Sequence, residues 1–209
     1  MKVNVLHPGG MAANCYVFYQ EGGTKCGIVD PGGQGDQIAQ WIKDKGLEPE
    51  AVLLTHGHFD HILGLPGLLE EWPHLTVYCH PDDFGEGDTV RIFGETFPTP
   101  RSLAVLEPYI EEDVVDVAGV EVTVLETPGH TPGSVTLRAE NVLFTGDTLF
   151  AGSMGRTDLP GGNEMDLRFS LRRLGELEGD YHILPGHEGP STLERERQTN
   201  PCLRSAMGR

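Results

Sequence analysis

The chain has 209 residues, 38% of them hydrophobic, enough for a buried core and far from the composition of a membrane protein. Its 32 acidic and 15 basic residues leave a formal charge of −17, a field that repels nucleic acid and other polyanions. Residues 1–209 suit one domain, and Met1–Met11 lack the apolar run of a secretory signal, so a cytoplasmic protein without membrane or nucleic-acid partners is expected.

The predicted elements begin with short strands at Val3–Leu6, Cys15–Tyr19 and Gly27–Val29, separated by turn signals at Pro8-Gly9-Gly10, Gly22-Gly23 and Pro31-Gly32-Gly33. Gln34–Lys45 places Ile38, Trp41 and Ile42 at helical spacing, and Gly46 stops it. Ala51–Leu54 is a continuous apolar run, the mark of a strand covered on both faces, and it runs into Thr55-His56. Asp82–Pro108, rich in Gly, Pro and acidic residues, reads as a surface excursion.

Val114–Val117 and Val120–Leu125 flank Ala118-Gly119 as a hairpin, with another strand at Ser134–Arg138. Asn141–Phe144 leads into Thr145-Gly146-Asp147, and Tyr181–Leu184 leads into Pro185-Gly186-His187. Between them Asn163 caps a helix over Glu164–Leu177 with Leu167, Leu171 and Leu174 on one face. Ser191 and Glu194 read as a capping box for a last short helix that ends before Pro201. Cys15, Cys26, Cys79 and Cys202 form no CxxC pair and read as reduced, mostly buried thiols.

Several apolar strands thus end in His or Asp, and ligands gather outside the carboxyl ends of strands in α/β sheets. The densest case is Thr55-His56-Gly57-His58-Phe59-Asp60-His61. With nine histidines in the chain, three at these offsets arise by chance about 0.02 times. His56 and His58, two apart, aim the same way on extended backbone and can share one cation, while Asp60 and His61 fall on the following turn and suit a second. Completing both shells needs further ligands, and His130, Asp147 and His187 each follow a glycine that lets the backbone bend close to an ion.

HxHxDH followed by Gly-His, Gly-Asp and Gly-His turns resembles the metallo-β-lactamase superfamily over essentially the whole chain. Asp30-Pro31-Gly32 is similar to that superfamily's early Asp-Gly turn, and Gly155-Arg156-Thr157-Asp158 resembles its glyoxalase II and persulfide dioxygenase branches. The resemblance implies an α/β fold, a four-layer αββα sandwich. It implies a first metal on His56, His58 and His130, a second on Asp60, His61 and His187, Asp147 bridging, and Asp30 and Thr55 supporting the ligands from behind. An Asp before Pro-Gly is also a common turn former, and for Asp30 both roles stay open. Zinc is the first candidate for the two divalent ions, with iron or manganese next.

A hydroxide bridging the two metals implies a hydrolase, with Asp60 as the catalytic carboxylate that orients the attacking water or accepts its proton. The chain after His187 is short, which favours compact thioesterases of the glyoxalase II type, acting on glutathione-type or related small thioesters. The alternatives are a mononuclear-iron persulfide dioxygenase using His56, His130 and Asp147, and a non-catalytic metal-binding or sensing module. Asp rather than Cys at position 147 and the absence of an export signal argue against β-lactam hydrolysis. His61–Leu69 is similar to tRNA-processing nucleases of the superfamily, but the acidic charge argues against that branch. His7, His74, His80 and His182 fall outside the motifs, Arg156 and Asp158 read as an ion pair or a substrate contact, and oligomeric state stays open.

Overall fold

The computed structural model describes residues 1–7 and 13–208, so the turn expected at Pro8-Gly9-Gly10 lies outside the described residues. In chain order the first half runs β1 (Lys2–Leu6), β2 (Cys15–Tyr19), β3 (Lys25–Val29), α1 (Gly35–Asp44), β4 (Glu48–Leu53), α2 (Phe59–Ile62), α3 (Leu65–Glu71) and β5 (Thr76–Cys79). A 3-10 turn at Pro81–Asp83, the hairpin β6 (Thr89–Ile92) and β7 (Glu95–Pro98), α4 (Pro100–Leu103) and β8 (Leu106–Pro108) follow. The second half runs β9 (Val114–Val117), β10 (Val120–Glu126), β11 (Val135–Ala139), β12 (Val142–Gly146), β13 (Leu149–Phe150), β14 (Ser153–Met154), α5 (Glu164–Gly175), β15 (His182–Pro185), β16 (Ser191–Thr192), α6 (Leu193–Thr199) and α7 (Pro201–Ala206).

Two six-stranded sheets form, in the orders β1-β2-β3-β4-β5-β8 and β16-β15-β12-β11-β10-β9. The first is antiparallel from β1 to β3 and parallel from β3 to β8. The period-2 alternation of strand side chains splits each sheet's apolar residues between two faces. Cys15, Val17, Ile28 and Val52 pack outward under α1 and α3 with Ile38, Ile42 and Leu68. Tyr16, Phe18, Val29 and Leu53 pack inward against Val122, Val124, Leu137 and Phe144 of the second sheet. Leu143 and Ile183 face the other way, under Leu171, Leu174, Leu193 and Leu203 of α5, α6 and α7. Three apolar layers separate four layers of structure, the αββα sandwich expected from the resemblance.

Differences from the sequence reading are local. The stretch read as a surface excursion contributes β8, an edge strand of the first sheet, and the β6–β7 hairpin. The cap of α6 is Thr192, whose hydroxyl accepts from the Arg195 N–H, one residue past the expected Ser191; the Ser191 hydroxyl instead donates to Glu196. Pro201 ends one helix and opens another, because proline fits the first turn, where no N–H partner is needed. Fully buried Asn200 caps that helix, accepting from Cys202 and Leu203 N–H, and its amide donates to the Phe150 and Ser153 carbonyls. Asn163 caps α5 as expected. The thiols of Cys15, Cys26 and Cys79 are buried and that of Cys202 half-buried, all free. Among the described residues no helix is long and apolar enough to cross a membrane.

The Phe144 ring ties the sheets together, 5.5 Å from Tyr16 and 5.8 Å from Phe18 between ring centroids. Phe144→Ala is expected to lower unfolding free energy by about 3–5 kcal/mol, the range for truncating a buried aromatic, read as a lower urea midpoint at unchanged slope.

Candidate metal centre

β10 and β12 both run antiparallel to β11, and β15 is parallel to β12, so these three strands finish at one edge of the second sheet. His130 lies just past β10, Asp147 directly after β12 and His187 after β15; β4 of the first sheet leads to His56, and α2 carries Asp60 and His61. Gly129, with φ +135°, and Gly146, with φ +46°, make the sharp bends expected before His130 and Asp147. Gly186 serves differently: a Cβ there would press on Asp147 Oδ1 and stand 2.6 Å from His61 Cε1.

All seven expected side chains meet at this edge. The ligand atoms of His56, His58 and His130 lie within 4.8 Å of one another, as do those of Asp60, His61 and His187 and those of His56, His61 and Asp147. Ligands about 2.1 Å from a tetrahedral ion stand about 3.4 Å apart. Asp147 comes 3.4 Å from His61 Nε2 through Oδ1, and through Oδ2 3.4 Å from His130 Nε2 and 3.6 Å from His187 Nε2. It therefore reaches both triplets. His187 Nε2 stands 3.1 Å from Asp60 Oδ2, and His58 Nδ1 stands 2.8 Å from His130 Nε2.

His56 Nε2, His61 Nε2 and Asp147 Oδ1 are buried without a hydrogen-bond partner. Leaving buried polar atoms unpaired carries a free-energy cost. Divalent cations between them would remove it, so the residues present fit a pair of metals.

Contacts behind the rings set which nitrogen is bare. Buried Asp30 accepts from the Thr55 N–H (2.8 Å) and hydroxyl (2.6 Å), and its Oδ2 lies 2.9 Å from His61 Nδ1. A proton on that Nδ1 leaves Nε2 as a lone pair facing the site. Thr55 Oγ1 lies 3.2 Å from His56 Nδ1, and the Arg156 carbonyl lies 2.7 Å from His130 Nδ1, with the same consequence. Asp30, at φ +51°, thus both turns the chain and meets the histidine motif.

Two residues at the site escaped the sequence reading. Buried Asp83, from the stretch taken as an excursion, accepts from the Gly57 N–H (2.9 Å), the Thr131 hydroxyl (2.6 Å) and the Gly133 N–H (2.9 Å). It fastens the loop of His56 and His58 to that of His130. Asn14 donates to the Pro185 and Glu188 carbonyls and so holds the His187 turn from both sides. Neither sits in a motif, and their partners lie dozens of positions away. His7, His74 and His182 are exposed, and His80 is buried against Glu126, away from the cluster. Arg156 and Asp158 form a bidentate ion pair, 2.6 and 2.7 Å.

Charge divides the histidines. Burial lowers His56 well below the ordinary imidazole range and His58 to about 4, helped by neighbouring imidazoles. Burial acts on His61 in the same sense, but Asp30 and Asp147 outweigh it and raise it well above the usual value. Asp60 raises His187 through their hydrogen bond. Burial would raise Asp147, yet His61 and the other imidazoles hold it below the carboxylate range. His56 and His58 are thus neutral ligands in waiting, whereas the carboxylates beside His61 and His187 favour their protonated forms. A cavity of about 430 Å³ opens over the site, walled by Phe59, Ile92, Phe93, Phe150, Met154 and Leu159 beside the ligand groups.

The metallo-beta-lactamase superfamily profile matches residues 8–187. The chain is similar to hydroxyacylglutathione hydrolase GloC of Haemophilus influenzae, 30% identical over 98% of this chain and 99% of that protein. Among solved structures it is similar to BLEG-1, a B3 metallo-beta-lactamase, with TM-score 0.87 and 31% identity over 97% of this chain and 99% of that one. It is also similar to TTHA1623 in a di-iron-bound form, with TM-score 0.80 and 34% identity over 96% and 99% of the two chains.

Metal competes with protons for His61 and His187, whose protonated forms the neighbouring carboxylates favour, so lowering pH from about 8 to about 6 is expected to weaken binding at their triplet more steeply than at His56 and His58. Stepwise metal titration in two buffers of different ionisation enthalpy reads the released protons. Asp83→Ala strands three donors, two of them buried, and is expected to cost at least about 1–3 kcal/mol in urea unfolding. Its metal content should fall first at the His56, His58 and His130 triplet.

Proposed function

The chain belongs to the metallo-β-lactamase superfamily, and on that footing we propose that it is a binuclear metal-dependent hydrolase of small thioesters, glutathione conjugates first among them. The observation that carries the reading is the set of buried polar atoms without a hydrogen-bond partner, His56 Nε2, His61 Nε2 and Asp147 Oδ1. His56, His58 and His130 would hold one ion and Asp60, His61 and His187 the other, with Asp147 within reach of both triplets. Zinc is the first candidate, and the di-iron form of the similar TTHA1623 keeps iron beside it. The similarity to GloC supports the thioester substrate.

Bound divalent cations lower the pKa of coordinated water and polarise a carbonyl oxygen. Asp60, partly open to the cavity and hydrogen-bonded to His187, orients the attacking water and takes up its proton. That proton then leaves with the departing thiolate. Asp30 and Thr55 keep the ring nitrogens of His61 and His56 aimed inward throughout, which limits reorganisation as charge develops. The cavity, of about 430 Å³, has the size of a small-molecule site. A full second triplet at Asp60, His61 and His187 weighs against the mononuclear-iron alternative.

Purified protein is expected to carry about two equivalents of divalent metal by elemental analysis, to hydrolyse lactoylglutathione, and to lose that turnover in His58→Ala. One equivalent of iron with oxygen uptake on glutathione persulfide would overturn the proposal in favour of a dioxygenase. Turnover of a chromogenic cephalosporin with none of any thioester would replace it by β-lactam hydrolysis, and a metal-loaded protein inert to all of these would make it a sensing module.

A further inference from the structure

The β6–β7 hairpin turns through Phe93 and Gly94, with Ile92 paired to Glu95 across it. Both central residues have positive φ, +53° and +87°, the pattern of a two-residue turn that favours Asn-Gly. A phenylalanine there is strained. Its ring is also 73% exposed and belongs to none of the three apolar core layers. At the base of the hairpin Phe97 stacks on Phe59, ring centroids 3.8 Å apart, next to Asp60 in α2. The strained, exposed ring is therefore carried by an arm anchored beside the metal centre.

The tip overhangs the metal cavity, which Ile92 and Phe93 line together with Phe150, Met154 and Leu159. Arg156, which also lines the cavity, comes 4.8 Å from the Phe93 ring, a cation–π contact. The edge of that guanidinium is taken by Asp158, and its face by Phe93. Beside this paired charge, Ile92, Phe93, Phe150, Met154 and Leu159 present hydrocarbon to the cavity.

We propose that Phe93 is a specificity-determining residue: the hairpin tip holds its ring as the roof of an apolar subsite, and the substrate carries a hydrocarbon group within a few bonds of the reacting sulfur. The proposal rests on the thioester reading for its chemistry and deepens it by naming the substrate class. Turn strain and ring exposure are then the local cost of placing the ring over the cavity.

The test measures affinity of the metal-loaded protein for n-alkanethiols from ethanethiol to pentanethiol by calorimetry, beside hydrolysis of thioesters. In the wild type, affinity is expected to rise about fourfold with each methylene that enters the subsite. Phe93→Asn, a better turn residue, is expected to keep metal content, to match or exceed wild-type stability in urea, and to flatten that dependence. Phe93→Tyr, which keeps the ring, should preserve it. Equal dependence in wild type and Phe93→Asn, or no dependence in the wild type, overturns the proposal. Chain-length dependence that needs Phe93 in a protein inert to every thioester would sustain the subsite while removing the hydrolase reading.

Discussion

The rest of the molecule answers to one constraint, a cluster of imidazole nitrogens and a carboxylate turned toward one another in a buried place where His56 Nε2, His61 Nε2 and Asp147 Oδ1 have no hydrogen-bond partner. Burial denies these atoms water, and the fold gives them nothing in its place. The arrangement persists because three of the rings are gripped from behind. Asp30 sits against His61, Thr55 against His56, and the Arg156 carbonyl against His130. A carboxylate behind a ring also makes the exposed nitrogen more basic, so the support tunes the ligand as well as aiming it. Asp30 and Thr55 bond to each other, which makes the first two grips one unit.

The sandwich supplies the stiffness this needs. Three strands of one sheet and one of the other end around the site, and their positions are set by apolar layers on both faces of each sheet. The loops that follow are short and tied across the chain. Asp83 joins two ligand loops, Asn14 holds a third, and the Ala13 N–H bonds the Asp60 carbonyl at 3.0 Å. The ligands thus sit on rigid elements while the cavity walls come from the hairpin and from segments after β12.

What was legible in the sequence followed from contacts close along the chain. His56, His58, Asp60 and His61 share one turn, and their spacing alone announced a cation site. His130, Asp147 and His187 stood out because each follows a glycine at the end of an apolar strand. The strands and α5 were legible for the same reason, since alternation, helical spacing and the Asn163 cap are written locally. Asp83 was illegible because its acceptors serve Gly57, Thr131 and Gly133, 26 to 50 positions away. The β6–β7 hairpin hid because its turn carries Phe93 where Asn is the recognisable signal. The cap of α6 slipped one residue because Ser191 and Thr192 have the same chemistry, and only packing against Glu196 decides between them.

Gly186 shows how little slack the cage has. Its hydrogen faces Asp147 Oδ1 and the His61 ring, and a methyl in its place would occupy the gap between them. One added carbon would act as a plug, pushing two gripping groups apart from within while touching none of the sheets' apolar layers. The packing that sets these two ligand groups also forbids a side chain beside them, so tolerance to change at this edge is measured in single atoms.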